Sequence, residues 1–101
     1  MAYFCVYALD RPGTGALRQS LRPSHRERLR SHDHPVSVRI GGPLRNETGD
    51  MVGTMLVIEA DEKRQVESYF EGDPYVTAGL FASVDIHHFD WGLGLPETAH
   101  G

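Results

Sequence analysis

The stretch Gly72-Asp73-Pro74-Tyr75 ends one predicted helix and starts another with no loop between them. Glycine suits the left-handed conformation that commonly closes a helix, so Gly72 predicts the end of a helix over about 62–71. Aspartate before proline is a typical helix start, because Asp73 can cap the free amides and Pro74 has no amide to satisfy. We therefore expect a short second helix directly after the first.

Working outward from this junction, four segments show the apolar or alternating pattern of strands. They are Ala2–Leu9, Val36–Ile40, Met51–Ile58 and Leu80–Ile86. Helical periodicity occupies the two longer intervals, 14–31 and 62–71. The order strand, helix, strand, strand, helix, strand predicts an α+β, ferredoxin-like βαββαβ fold. Such a fold has a four-stranded antiparallel sheet with both helices on one face, and the other face is left uncovered.

The first helical interval is interrupted by Pro23. A proline inside a helix removes a hydrogen bond and crowds the preceding turn, so we expect a kink and a new helix from about Pro23 to Ser31. His25 would then lie in the first turn of that helix. In the second interval, Asp61 is the expected N-cap. Two neighbouring stripes run along the first interval at steps of four residues: Leu17, Leu21, His25 and Leu29, and Arg18, Arg22 and Arg26.

Length and composition describe one small globular domain. The 101 residues are 40% hydrophobic and 24% charged with a net charge of −4, so no basic excess indicates nucleic-acid binding. We expect a single domain over 1–101, with its core over about 2–89 and a C-terminal tail over 90–101. Six of the nine arginines lie between Arg11 and Arg30, which makes that region locally positive and a candidate to face an anion.

The sequence also predicts a cytoplasmic protein. Its single cysteine, Cys5, has no partner for an internal disulfide, and burial in an apolar run predicts an inert thiol. The chain begins with a strand-like run and no basic leader segment, and its apolar runs are too short to span a membrane. Both ends lie just outside patterned segments, so we expect the 101 residues to form a complete protein.

His25 and Asp73 are the candidate acid–base pair. Each has an ordinary structural explanation, as a partly buried histidine near a helix start and as a plain N-cap. If the fold brings them together, Asp73 accepts the ring N–H of His25, fixes the tautomer and leaves the other nitrogen free as a general base. In that case we expect an imidazole–carboxylate hydrogen bond of roughly 2.6–3.2 Å.

Further candidate contacts have structural alternatives as well. Arg18 and Arg22 are either a solvated face or ligands for a carboxylate or phenolate, which the guanidinium fork suits. Gly41-Gly42-Pro43 is either the end of the second strand with a bulge, or a pocket floor that offers backbone amides to a substrate oxygen. His32-Asp33-His34 and His87-His88 contain metal-ligand types, but neighbouring loop residues rarely converge on one ion, so we expect no metal. No phosphate-binding loop, dinucleotide fingerprint or nucleophile elbow is present, and we expect no cofactor.

Several short motifs, taken in order and spacing, resemble the YciI-like (YCII-related) family between about Tyr3 and Phe89. They are Arg22-Pro23-Ser24-His25, Gly42-Pro43-Leu44, Gly53-Thr54, Asp73-Pro74-Tyr75 and Ala78-Gly79-Leu80. The resemblance implies a domain that dimerises, related to the dimeric α/β-barrel proteins, with a His–Asp pair in a pocket at His25 and Asp73. Within the motifs, the candidate substrate contacts are Ser24, Gly42, Pro43 and Tyr75, in addition to Arg18 and Arg22.

Some relatives in this family remove chloride from chlorinated hydroxyquinols, which is similar to what a base flanked by arginines could do. We therefore expect a cofactor-free lyase, isomerase or dehydrochlorinase-type enzyme that acts on a small oxygenated cyclic or aromatic compound. His25 would be its acid or base and Asp73 the orienting carboxylate. The alternative is a non-catalytic binding or regulatory module. His32-Asp33-His34 and the Trp- and Gly-containing tail depart from the family's commoner pattern, which leaves the substrate open. The uncovered sheet face predicts a homodimer.

Overall fold

A computed structural model of the chain describes residues 1–31 and 33–94. Its elements are β1 (Ala2–Asp10), α1 (Gly15–Arg30), β2 (Ser37–Arg45), β3 (Met51–Ala60), α2 (Lys63–Glu71), α3 (Pro74–Thr77) and β4 (Phe81–Phe89). The four strands form one sheet in the order β2-β3-β1-β4, and every neighbouring pair is antiparallel. This confirms the predicted ferredoxin-like arrangement. No helix in the described part of the chain is long and apolar enough to cross a bilayer.

The core lies between the sheet and the helices. Successive side chains of a strand point to opposite faces, so every second residue of β1 and β3 faces the helices. These inward residues are fully or almost fully buried, and they pair across the two strands as Phe4 with Ile58, Val6 with Leu56, and Ala8 with Thr54. From α2, Val66, Tyr69 and Phe70 are buried against them.

The opposite side of the sheet, here called the open face, is covered by none of the described helices. Its central residues come from three strands: Cys5, Tyr7 and Leu9 of β1, Met55 and Val57 of β3, and Leu44 of β2. Tyr7 is 43% exposed, whereas its neighbour Val57 is 2% exposed because surrounding side chains enclose it. Burial also raises the pKa of the Cys5 thiol, so the thiol is predominantly neutral near pH 7.

The predicted break at Pro23 is wrong. α1 runs from Gly15 to Arg30 through the proline, and His25 therefore lies in the middle of the helix rather than in a first turn. The Pro23 ring is exposed, while the helix is anchored on both sides of it, by the buried Arg18 before it and by the buried His25 after it. These tertiary contacts offset the hydrogen bond that proline removes.

α2 ends just before Gly72, as predicted, but two details of its caps differ from the prediction. Gly72 has φ −88°, a right-handed conformation, and its lack of a side chain serves another need: a Cβ there would lie 2.6 Å from Arg28 Nη2. The N-cap of α2 is Glu62, which forms a capping box with Gln65, rather than Asp61. In contrast, Gly79 follows α3 with φ +72°, the left-handed conformation that favours glycine.

The edge strands are longer than their patterns predicted. β2 continues through Gly41-Gly42-Pro43-Leu44, because strand pairing with β3 carries on past a register shift between Val38 and Ile40. β4 extends to Phe89 and so includes His87 and His88, which pair with Cys5 and Phe4 of β1. The predicted tail over 90–101 is described only as far as Gly94.

Candidate active site

His25 and Asp73 form a buried hydrogen-bonded pair. Nδ1 of His25 lies 2.7 Å from Oδ2 and 2.9 Å from Oδ1 of Asp73. These separations fall within the hydrogen-bond reach expected for an acid–base dyad. His25 is 5% exposed and Asp73 is fully buried, so water competes little for the contact. The two residues are 48 positions apart in sequence, and the packing of α1 against α3 brings them together.

Asp73 is held in place by the start of α3. Its carboxylate accepts the Tyr75 backbone N–H at 2.9 Å, and Pro74 occupies the first helical position, which is the capping arrangement predicted from the sequence. A carboxylate can only accept, so Nδ1 of His25 carries the hydrogen that is shared with it. The structural role of Asp73 and its orienting role are therefore performed by the same two oxygens.

When the imidazole of His25 is neutral, this arrangement leaves Nε2 as the nitrogen with the free lone pair. Nε2 has no hydrogen-bond partner among the described residues, and His25 lines a cleft. A neutral imidazole with one nitrogen held by a carboxylate and the other facing a cleft is equipped to accept and return a proton.

The imidazole of His25 belongs to a stack of three flat groups. Its ring lies on the Tyr75 ring at a centroid distance of 4.0 Å and an interplanar angle of 18°. The Arg18 guanidinium covers Tyr75 at 4.7 Å. Burial raises the pKa of the Tyr75 hydroxyl, against the opposing effect of Arg18, so Tyr75 stays neutral near pH 7. Tyr75 therefore supports the His25 ring as a rigid, uncharged platform.

Arg18 is bound to protein groups through its Nε and Nη2 atoms. Its Nε and Nη2 donate to the two carboxylate oxygens of Asp10 at 2.7 and 2.9 Å, and Nη2 also donates to Thr54 Oγ1 at 2.8 Å. The residue is 4% exposed. The structure therefore places this predicted substrate contact beneath the cleft, where it anchors α1 to β1 and β3.

The cleft has a volume of about 410 Å³ and lies between α1 and β2. Its lining residues are Arg18, Arg22, His25, Arg26, Leu29, Arg30, Val38, Arg39, Ile40, Gly41, Gly42, Pro43, Thr54 and Tyr75. Five of these are arginines, and no described aspartate or glutamate lines the cleft. Arg18 and Arg39 are paired with Asp10 and Glu59, so the positive charge of the cleft comes from Arg22, Arg26 and Arg30, and it suits an anionic or anion-forming ligand.

The other predicted contacts are divided between the cleft and the surface. Arg22 lines the cleft, with Nη1 lying 3.3 Å from Met51 Sδ. Gly42 and Pro43 line the opposite wall, inside β2 rather than at a strand end. Ser24 is exposed on α1 and does not line the cleft.

Sequence reasoning did not select Arg26, Arg30 and Arg39 as site residues. A signal for the first two was present, because Arg22, Arg26 and Arg30 are spaced by four residues and so share one side of a helix. No comparable signal marks Arg39, which reaches the cleft only because β2 pairs with β3 beside α1.

The histidine-rich segments do not form a metal centre in the described part of the chain. Residues 1–31 and 33–94 contain no group of three or more His, Cys, Asp or Glu side chains that could hold an ion. His87 and His88 are consecutive in β4 and therefore point to opposite faces of the sheet. In the segment His32-Asp33-His34, His32 lies outside the described residues.

Comparison with known families identifies the lineage of the chain. A family model for the YCII-related domain matches residues 2–90. The chain belongs to this YciI-like family. Protein YciI of Escherichia coli O6:H1 is 26% identical over 92 residues, and the match covers 85% of this chain and 94% of the relative. The family predicted from the short motifs is therefore confirmed.

Among solved structures, the YciI-like chain is similar to a dehydrochlorinase. The 5-chloro-2-hydroxyhydroquinone dehydrochlorinase TftG of Burkholderia phenoliruptrix, in complex with 2,5-dihydroxybenzoquinone, is 33% identical with a TM-score of 0.80. That match covers 89% of this chain and 95% of the dehydrochlorinase. SnoaB, a cofactor-independent oxygenase of Streptomyces nogalater, matches with a TM-score of 0.57 at 15% identity, over 95% of this chain and 97% of SnoaB. The likeness to SnoaB shows a shared fold alone.

Proposed function

We propose that this YciI-like protein is a cofactor-free lyase that eliminates chloride from a chlorinated, hydroxylated ring. The observation that carries the proposal is the orientation of His25, with Nδ1 on Asp73 and Nε2 open to a positively charged cleft. The likeness to a dehydrochlorinase at 33% identity supports the reaction class.

In the proposed reaction, Nε2 of His25 takes a proton from a ring hydroxyl and returns it to the ring carbon that bears chlorine. Chloride then leaves with the electrons of the C–Cl bond, while a second hydroxyl loses its proton and becomes a carbonyl. The net change is loss of HCl and formation of a quinone, so the step needs no external oxidant or reductant. Asp73 holds the imidazole in one tautomer and stabilises the imidazolium between the two proton transfers.

The arginines would assist the first step. Removing a hydroxyl proton leaves negative charge on a ring oxygen, and Arg22 lines the same cleft three residues before His25 on α1. A guanidinium beside a developing phenolate lowers the cost of that charge. Val38 on the β2 wall, which pairs with the helix-facing Ile58, offers an apolar surface for the flat ring.

The test is chloride release from 5-chloro-2-hydroxyhydroquinone by the purified protein and by His25→Gln. Glutamine can still donate a hydrogen bond to the buried Asp73 but cannot act as a base near pH 7. We expect kcat to fall by about 10²–10⁴-fold, the usual contribution of general acid–base catalysis. His88→Ala, which removes an exposed histidine of β4 outside the cleft, serves as the matched control and should keep full activity.

Unchanged chloride release by a folded His25→Gln variant would refute the catalytic assignment. Tight binding of the compound by the wild-type protein with no turnover would instead support the non-catalytic binding module. Circular dichroism of each variant separates loss of chemistry from loss of fold.

We further propose that the protein acts as a cytoplasmic homodimer in which two copies pair through their open faces. The open face presents apolar side chains around Val57 that the described helices leave uncovered, and a second copy would remove them from water. A neutral, partly buried Cys5 on that face is compatible with a reducing compartment.

A further inference from the structure

We infer that the cleft contains a second, anion-binding subsite, formed by Arg22, Arg26 and Arg30, and that the substrate is a hydroxylated ring bearing a carboxylate or an equivalent oxyanion. The inference deepens the proposed function and rests on it in one respect, since His25 marks the end of the cleft where the ring hydroxyl reacts. We call these three residues the arginine row.

The arginine row has no neutralising carboxylate partner in the described part of the chain. Of the five arginines that line the cleft, two have carboxylate partners: Arg18 is paired with Asp10, and Arg39 with Glu59. The three members of the row form no ion pair with any residue in 1–31 and 33–94. Like charges four residues apart on a helix repel each other, so the row costs helix stability unless an anion is bound.

The row and the dyad are positioned for two groups of one ligand. Arg22, Arg26 and Arg30 span eight residues of α1, which is about 12 Å along the helix axis at 1.5 Å per residue. His25 lies between the first and second members, while Arg30 is five residues, or roughly 7.5 Å, beyond it. A substituted ring placed with one hydroxyl at Nε2 of His25 can therefore reach the distal part of the row with a second substituent.

The chemistry of the lining selects a flat ring with a peripheral anion. Leu29 on α1 and Val38 and Pro43 on β2 supply apolar contact, whereas no described carboxylate in the lining would repel an anion. Guanidinium groups bind planar oxyanions through paired N–H donors, which favours a carboxylate attached to the ring. A neutral polyphenol would leave Arg26 and Arg30 without a partner.

Equilibrium binding of 2,5-dihydroxybenzoate and of its methyl ester tests the inference, because the two compounds differ chiefly in one negative charge. By calorimetry, we expect the acid to bind at least about tenfold more tightly than the ester, and to weaken as sodium chloride rises from about 0.05 to 0.5 M. Arg26→Gln/Arg30→Gln should remove this preference and leave the affinity for the ester unchanged. Competition by inorganic phosphate would show that a tetrahedral oxyanion also fits the subsite.

The matched control is Lys63→Gln/Arg64→Gln, which removes two positive charges from α2, outside the cleft. Equal affinity for acid and ester in the wild-type protein would overturn the inference. So would an equal loss of affinity for the acid in the control, since the effect would then reflect overall charge. Repeating the titration with His25→Gln separates the two proposals, because the preference for the acid depends on the arginine row and chloride release depends on the dyad.

Discussion

At the scale of single residues, Arg18 shows how burial decides what a charged side chain does. On sequence alone it belongs to the same stripe as Arg22 and Arg26, and it is as good a candidate for a ligand contact as Arg22. In the structure it is 4% exposed and bidentate to Asp10, and it covers Tyr75 beneath the His25 ring. Its guanidinium therefore stabilises the structure of the site, through Asp10 and Tyr75.

A prediction follows for the Arg18–Asp10 pair. Asp10→Ala leaves a buried guanidinium without its counter-charge, so we expect the free energy of unfolding to fall by about 3–5 kcal/mol. The double variant Asp10→Ala/Arg18→Met should lose less than the sum of the two single variants, with a coupling of at least about 1 kcal/mol. Urea unfolding followed by circular dichroism measures both quantities. A loss below about 1 kcal/mol in Asp10→Ala would contradict the buried pair.

At the scale of elements, the junction between α2 and α3 is clamped onto α1. Arg28 of α1 donates from Nη2 to the Tyr69 carbonyl at 2.9 Å, and its guanidinium lies 4.8 Å from the centre of the Tyr69 ring. Gly72 provides the space for this side chain. Because Asp73 follows at once, the same clamp sets the position of the carboxylate that meets His25.

Two glycines of the sheet provide a test of close packing between strands. A Cβ at Gly53 of β3 would lie 2.5 Å from the Ala8 carbonyl oxygen, so Gly53→Ala must displace backbone. We expect it to lower the free energy of unfolding by about 1–3 kcal/mol or more. Gly42→Ala on β2 is the matched control, because no atom lies within 4 Å of its added Cβ. Chemical denaturation of both variants gives the comparison, and equal stabilities would show that β1 and β3 can separate at no cost.

At the scale of the whole molecule, the proposed pairing of two copies involves the open face of the sheet. Tyr7 lies on the open face and is 43% exposed, and Val84 lies on the helix-facing side of the edge strand β4 and is 41% exposed. The two side chains thus have similar exposure on opposite sides of one sheet. They form a matched pair for testing which side binds a second copy.

We expect light scattering to give twice the chain mass of 11.3 kDa for the wild-type protein. Tyr7→Glu should shift the mass to that of the monomer, because dimerisation would bury a carboxylate among apolar side chains. Val84→Glu adds the same charge and should remain a dimer. A monomeric wild-type protein at high concentration, or equal disruption by both variants, would contradict pairing through the open face.

The sequence by itself determined the order of the elements and one part of the site, the helix start that holds Asp73. Strand alternation and helix periodicity depend on side-chain spacing, which is read directly from the chain, and they predicted the βαββαβ fold. The Asp73-Pro74 helix start is also local, since the cap involves only the Tyr75 amide two residues away. The spacing of four between successive members of the arginine row was visible for the same reason.

The tertiary structure alone decided which distant groups meet. The His25–Asp73 contact spans 48 residues, and it forms because α1 continues through Pro23 and packs against α3. Pairing of β2 with β3 placed Gly42, Pro43 and Arg39 at the cleft. Burial then separated Arg18 from the arginine row: a carboxylate neutralises the former, and the latter keeps its charge toward the cleft. Such outcomes depend on packing and desolvation, which act between residues far apart in sequence and leave no periodic trace in it.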